Sequence, residues 1–194
     1  MIGKLPFLSR FSSVAAAMAR RLRDSRASQI VELALSLPVL VVFVVGIYDF
    51  SNAVTLKQKL TNAVREGARI AASDPAGDLA SPSGLPVSVS DAYYVVDSYL
   101  KAELNNNDCG LGLPGGGASL VWTSTGGSCS PAATLTINRG CWQAESNGTV
   151  DVVSTCVTIQ YPYQWQFTGV SGLFGNSFTP TTSITTSATA FNEN

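Results

Sequence analysis

Between Ile30 and Ile47 the chain places thirteen Leu, Ile, Val or Phe residues and one charge, Glu32. Each of the thirteen favours insertion near a bilayer centre by about 0.3 to 0.6 kcal/mol, roughly 4 to 8 kcal/mol together. A carboxylate near one end of a span opposes this by at most about 2.5 to 3.5 kcal/mol. Insertion wins, and a single membrane-spanning helix over about 30–48 is predicted. Pro38 lacks a backbone donor and is expected to kink that helix, which membrane helices tolerate.

Helical spacing continues past the span. Leu56, Leu60, Ala63, Val64, Gly67 and Ile70 recur every three or four residues, with Lys57, Lys59, Asn62, Arg65, Glu66 and Arg69 between them. The pattern predicts one helix over 28–72, stopped by Asp74-Pro75. At about 1.5 Å per residue it measures roughly 65 to 70 Å, of which about 30 Å lies in hydrocarbon. The protruding apolar stripe must be covered, either by the chain's own later domain, the simpler expectation, or by a partner helix.

Residues 73–87, rich in Gly, Ser, Ala and Pro, read as a linker. Ser88 to Leu104 predicts a second helix with Ser88 or Ser90 as N-cap, Asp91 in the first turn and a stripe of Ala92, Val95, Val96, Tyr99, Leu100 and Leu104. Gly110 to Gly117 is expected to be a flexible surface loop, and without a following Lys-Ser or Lys-Thr it is no phosphate loop. The period then changes to alternation. Ala118–Thr123, Ala132–Asn138, Val150–Tyr163 and Thr182–Phe191 predict four antiparallel strands. The expected fold class is α+β: a leader over 1–27, the long helix, the linker and one extracytoplasmic domain over 88–194.

Charge gives this layout a direction. Net charge is only −1, yet six of the twelve Lys and Arg residues fall in the first 26 positions, whereas beyond Ile70 only Lys101 and Arg139 face nine acids. Retention of the basic flank predicts a single-pass protein with a cytoplasmic N-terminus and its bulk on the far side of the membrane. The competing account is a secretory signal cut after Ser51-Asn52-Ala53. A long basic leader, an acid inside the apolar core and a helical pattern running through the supposed cut oppose it.

Cys109, Cys129, Cys141 and Cys156 all lie on the extracytoplasmic side of the span, where disulfides are the natural outcome. Three pairings are open. Neighbour pairing is favoured because it would tether the glycine-rich segment and staple the strands. The chain has no histidine and no C-x-x-C spacing, so no metal site and no cofactor is expected. Absence of histidine also removes the usual proton carrier near neutral pH, so no enzyme is expected. Asp91 with Asp97, or Glu145 with Asp151, are conceivable carboxylate pairs, but scattered acids on a solvated face are the commoner case. The only basic cluster is the leader beside the span, which leaves no nucleic-acid site. Asn147-Gly148-Thr149 matches a glycosylation sequon, with a turn as the simpler account.

Three runs carry a resemblance: Ala27-Ser28-Gln29-Ile30-Val31-Glu32-Leu33-Ala34-Leu35-Ser36-Leu37-Pro38, Gly46-Ile47-Tyr48-Asp49-Phe50, and Leu60-Thr61-Asn62-Ala63-Val64-Arg65-Glu66-Gly67-Ala68-Arg69. Together they resemble the N-terminal region of TadE-like proteins, minor pseudopilins of the tight-adherence (Flp) pilus system. Val157 to Tyr163 and Thr182 to Phe191 are similar to that family's closing strands. The resemblance implies a pilin-like domain and a leader cut by a prepilin peptidase between Ala27 and Ser28, with Ala27 where family substrates usually carry glycine. It also implies association with pilin or pseudopilin subunits and the Tad assembly machinery, in which Glu32 would meet the freed N-terminal amine of a neighbouring subunit. A buried carboxylate would thereby be neutralised. The plain alternative is that Glu32 snorkels to the cytoplasmic face. From a different class comes a monomeric anchored envelope domain that binds a surface ligand through its aromatic end, Tyr161 to Phe174, with Trp165 exposed.

Overall fold

A computed structural model describes residues 25–80, 84–105, 109–144, 151–166 and 181–192. The basic leader up to Asp24, the sequon, Glu145 and most of the aromatic end beyond Gln166 lie outside the described residues. Two units are present, Met1–Tyr48 and Asp49–Asn194. Helix α1 runs over Ser25–Ser73, continuous through Pro38. After it come a 3-10 turn at Ala76–Ala80, helix α2 at Val87–Glu103, and strands β1 Gly115–Gly116, β2 Val121–Gly126, β3 Ala133–Ala144, β4 Asp151–Gln164 and β5 Thr181–Phe191. The five strands pair antiparallel in chain order. The fold is α+β, with one strand more than the alternation signalled.

In the second unit, the α1 segment beyond Asp49 and α2 cover one face of the sheet. Leu60, Ala63, Val64, Ala68 and Ala71 of α1 meet Val89, Ala92, Val96 and Leu100 of α2 and Leu135, Ile137, Val157 and Ile159 of the sheet in one buried cluster. The chain's own domain therefore covers the protruding stripe, because small residues at helical spacing let α1 lie close. Gly67 is the tightest point: a Cβ there would sit 2.6 Å from Val96 Cγ2 and 3.4 Å from the Ala92 carbonyl. Replacing Gly67 by Ala gains about 1 kcal/mol of helix propensity, yet overpacking a filled core costs about 1 to 3 kcal/mol. Net destabilisation is expected in chemical denaturation. The double variant with Val96→Ala should be less destabilised than the two single changes summed.

The far end of α1 is held by a buried cation. Arg139 on β3 is fully buried; its Nη1 donates to the Ala71 carbonyl and to Thr155 Oγ1 at 2.9 Å, and its Nη2 donates to the Asp74 carbonyl at 3.1 Å. Thr155 Oγ1 donates in turn to Asn192 Oδ1 at 2.6 Å. A helix leaves its last carbonyls without intrahelical donors and carries partial negative charge at that end, so a guanidinium is the fitting cap.

The start of α2 departs from expectation. Its N-cap is Pro86, and no side chain at the cap bonds to the helix. Asp78, from the 3-10 turn, accepts the Ser88 backbone N–H at 2.8 Å. Ser88 itself is buried inside the first turn and Asp91 lies one residue beyond that turn. The cap arrives from ten residues upstream because Pro86 breaks the chain sharply just ahead of the helix, leaving local serines too far in. The stretch read as a linker thus contributes a helix cap.

Gly110 to Gly117 is anchored, contrary to the loop expectation. Leu111 is buried and bridges Gly126, Tyr93 Oη donates to its carbonyl at 2.7 Å, and Gly115 and Gly116 pair with Thr123 and Trp122. Gly116 and Gly117 have φ of 116° and 108°, which only glycine adopts without strain. The glycines therefore serve a tight reversal at a sheet edge. Disulfides join Cys109 to Cys129 and Cys141 to Cys156.

Candidate functional site

In the first unit, helix residues 28–41 are all exposed, Glu32 and Pro38 among them. Leu33, Leu35, Leu40 and Phe43 each expose more than 60% of their surface. Such a run of large apolar side chains facing solvent on every side of a helix is stable only in lipid or against other helices. Length and composition suffice to cross a membrane. Within this run Glu32 is the only ionisable side chain. Ala27 and Ser28, the residues flanking the expected cut, sit in the first turn of α1.

Asp49, the first residue of the second unit, was given no role by sequence reasoning. It is 1% exposed; its Oδ1 accepts the Gln166 N–H at 3.0 Å and its carbonyl accepts from Tyr163 Oη at 2.9 Å. The signal was available: an acid at the foot of an apolar run needs donors, and only a domain folded back onto the helix supplies them. These bonds fix the helix against the end of β4. Trp165, expected to be exposed, is half-buried; its ring meets Tyr163 edge-on at 5.0 Å and its Nε1 donates to Thr182 Oγ1 at 2.9 Å. The described part of the aromatic end is thus packed and hydrogen-bonded rather than offered to a ligand.

Further along α1, Glu66 and Arg69 pair on the surface at 2.5 Å. Their hydrogen bond holds the Glu66 carboxyl below its ordinary value and raises the Arg69 guanidinium. Lys59 reaches α2, where its Nζ donates to the Glu103 carbonyl at 2.8 Å.

Asp91 and Asp97 do not form a dyad: Asp91 is exposed, and Asp97 is bound by Lys101 Nζ at 2.6 Å. Of the other conceivable pair, Glu145 and the Asp151 side chain fall outside what is described. A groove of about 630 Å³ in the second unit is lined by Leu56, Leu104, Asn105, Ser128, Cys129, Ser130, Tyr161, Pro162, Tyr163 and Gln164, with no carboxylate or lysine among them. Among the described residues no three His, Cys, Asp or Glu side chains come together in a way that could hold a metal ion. What the geometry offers is an apolar surface with one acid, joined covalently to a domain by a single helix.

Residues 27–69 match the family model of TadE-like protein. The TadE-like segment begins five residues before Glu32, takes in the exposed apolar run, and ends on the turns of α1 that the sheet domain buries. No curated protein and no solved structure matches the chain. The TadE-like match suggests a component associated with the Tad pilus, and the apolar helix fits a single-pass membrane anchor.

Proposed function

We propose that this chain is a minor pseudopilin-like component of a Tad/Flp-type pilus assembly or secretion apparatus. It is anchored in the bacterial inner membrane by α1, with its N-terminus cytoplasmic and its sheet domain outside, and it acts by helix-mediated association with pilin or pseudopilin subunits. A prepilin peptidase removes the leader between Ala27 and Ser28. The observation that carries this reading is the overlap of the TadE-like segment with a stretch of α1, residues 28–41, that is exposed on every side and whose lone acid, Glu32, lies two turns into the helix. An acid in lipid favours whatever state supplies it a partner, and a neighbouring subunit is such a partner.

The test is substitution at Glu32. Glu32→Ala removes an obstacle to insertion, so membrane recovery should be unchanged or better. Loss of one charge-assisted contact corresponds to about 1.5 to 3 kcal/mol, so co-purification of pilus subunits from the membrane should fall by about tenfold or more. Glu32→Gln, which keeps a hydrogen-bonding group without the charge, should fall less. Equal recovery of partners by all three proteins would refute helix-mediated association through this residue.

A further inference from the structure

The sheet ends on one side at β1, two residues long, and on the other at β5, eleven residues in unbroken register with β4. Sheet edges are normally blunted by brevity, charge, proline or a bulge. Brevity blunts β1, whereas Thr181–Phe191 has no charged residue, no proline and no register shift. Two observations fix which backbone groups β5 presents. Asn192 N–H donates to the Val153 carbonyl at 3.3 Å, continuing the register of the two strands. Pro162, which has no N–H to give, lies opposite Ser183. Hydrogen-bonded and non-hydrogen-bonded pairs alternate along an antiparallel ladder. Thr182, Ile184, Thr186, Ala188 and Ala190 therefore bond to β4, and Ser183, Thr185, Ser187 and Thr189 turn their N–H and C=O groups outward. Among the described residues these outward groups have no backbone partner. They repeat every about 6.8 Å, the spacing at which another extended backbone offers the matching donors and acceptors.

Helix α1 walls this edge with positive charge. On one side of the helix Lys59 reaches the Glu103 carbonyl of α2; on the other, Thr61 Oγ1 and Thr186 Oγ1 of β5 share a hydrogen bond at 3.0 Å. Around Thr61 lies a depression of about 410 Å³ lined by Val54, Lys57, Gln58, Thr61, Asn62 and Arg65. The other cations of the second unit are engaged, Lys59 with Glu103, Arg69 with Glu66, Lys101 with Asp97, and Arg139 with the end of α1. Lys57 and Arg65 are exposed, and among the described residues neither side chain meets an acid. Eight residues apart, they stand about 12 Å from one another along the helix axis. Side chains four residues apart on one face of a strand are separated by about 13 to 14 Å. Two carboxylates at that strand spacing meet both cations while their backbone extends the sheet, and such complementarity selects the partner and its register. A second copy fits poorly, because antiparallel addition of β5 to β5 reverses one α1 relative to the other and turns the two Lys57–Arg65 faces toward each other.

We propose that the outer edge of β5, with the Lys57–Arg65 face of α1 beside it, docks an extended segment of a partner protein that adds as an antiparallel strand and carries two carboxylates four residues apart. The inference stands on strand register and charge and does not depend on assembly through Glu32. In the test, full-length protein in nanodiscs of uncharged lipid is titrated with fluorescent eleven-residue peptides. Each alternates threonine with valine and carries glutamate, glutamine or lysine at its fourth and eighth positions. The glutamate peptide is expected to bind, the glutamine peptide about fivefold more weakly and the lysine peptide more weakly still. In antiparallel docking the threonine N–H groups face β5, so N-methylation of the threonines should abolish binding and N-methylation of the valines should cost far less. Ser187→Pro removes an outward N–H and no bond to β4, a change that edge strands accept, and should weaken the glutamate peptide about fivefold or more. Lys57→Glu with Arg65→Glu should invert the preference, so that the lysine peptide binds more tightly than the glutamate peptide. Circular dichroism and the thermal midpoint confirm the fold of each variant; should Ser187→Pro fail to fold, the charge reversal decides. No binding of the glutamate peptide overturns the proposal, in favour of a second copy if Ser187→Pro also abolishes self-association. Equal binding of the glutamate and lysine peptides overturns it, as does threonine methylation that costs no more than valine methylation, or a preference that the charge reversal leaves unchanged.

Discussion

Arg139→Met is expected to destabilise the sheet domain by about 3 to 5 kcal/mol, the range for breaking a buried charged network by removing one partner. The substitution keeps most of the side-chain volume, so the loss is not a cavity effect. It arises because the carbonyls of Ala71 and Asp74 and the Thr155 hydroxyl lose their buried donor. Against a domain stability of about 5 to 15 kcal/mol this is a large fraction, and denaturant unfolding of the purified domain-bearing protein reads it directly. The loss should also depend on pH. Burial raises the Asp74 carboxyl above its ordinary value, the Asp91 and Asp78 carboxylates add to this, and Arg139 opposes it. A carboxyl raised in the folded state contributes stability that is complete below its ordinary value of about 3.9 and is lost as pH rises through the raised value. Removing Arg139 raises the carboxyl further, so the variant should suffer less near pH 4 than near pH 7. An equal loss at both values would show that the charge on Arg139 does not act on Asp74.

Removal of both disulfides should be still more damaging. Cys109 and Cys129 close a loop with a sequence separation of 20 residues, and Cys141 and Cys156 one of 15. In the chain-entropy account each loop is worth about 3 kcal/mol, so serine at all four positions costs roughly 6 kcal/mol if the two act independently. The first bridge ties the glycine-rich segment to the end of β2; the second crosses β3 and β4 beside the register shift between Asn138 and Cys141. Separate pairs of substitutions should each lower the urea midpoint and the quadruple variant should fail to fold. Unchanged unfolding of the quadruple variant would mean that the helix-on-sheet core suffices alone.

The long helix was legible because two patterns overlap on it: an apolar run long enough to span, then a three-to-four residue stripe that must be covered. The strands β3 to β5 were legible from alternation, since each offers one face to the same core, whereas β2 was read three residues early because Ala118–Leu120 form a 3-10 turn ahead of it. What escaped was whatever depends on contacts distant in sequence. Asp78 capping α2 could not be read from the segment around Ser88, which looks like a cap in its own right. Gly115 and Gly116 have no side chains to alternate, so their pairing with β2 left no trace in the pattern. Arg139 stood out only as one of two late cations, and its burial follows from β3 presenting it, with Leu135 and Ile137, to the end of α1. Trp165 looked like an exposed ring, whereas Tyr163 and Thr182 claim both its edge and its donor. The candidate site divides the same way: Glu32 announces itself as a charge among apolar residues, but Asp49 acquires meaning only when Gln166 and Tyr163 are folded against it.

Everything in the assembly account requires that the apolar helix stay attached to the domain it carries. Mass spectrometry of the N-terminus of protein recovered from the membrane fraction tests this most directly. The account predicts a membrane-bound chain that retains Ile30 to Tyr48, beginning at Ser28 once the leader has been removed. A soluble product beginning at Val54 would contradict it.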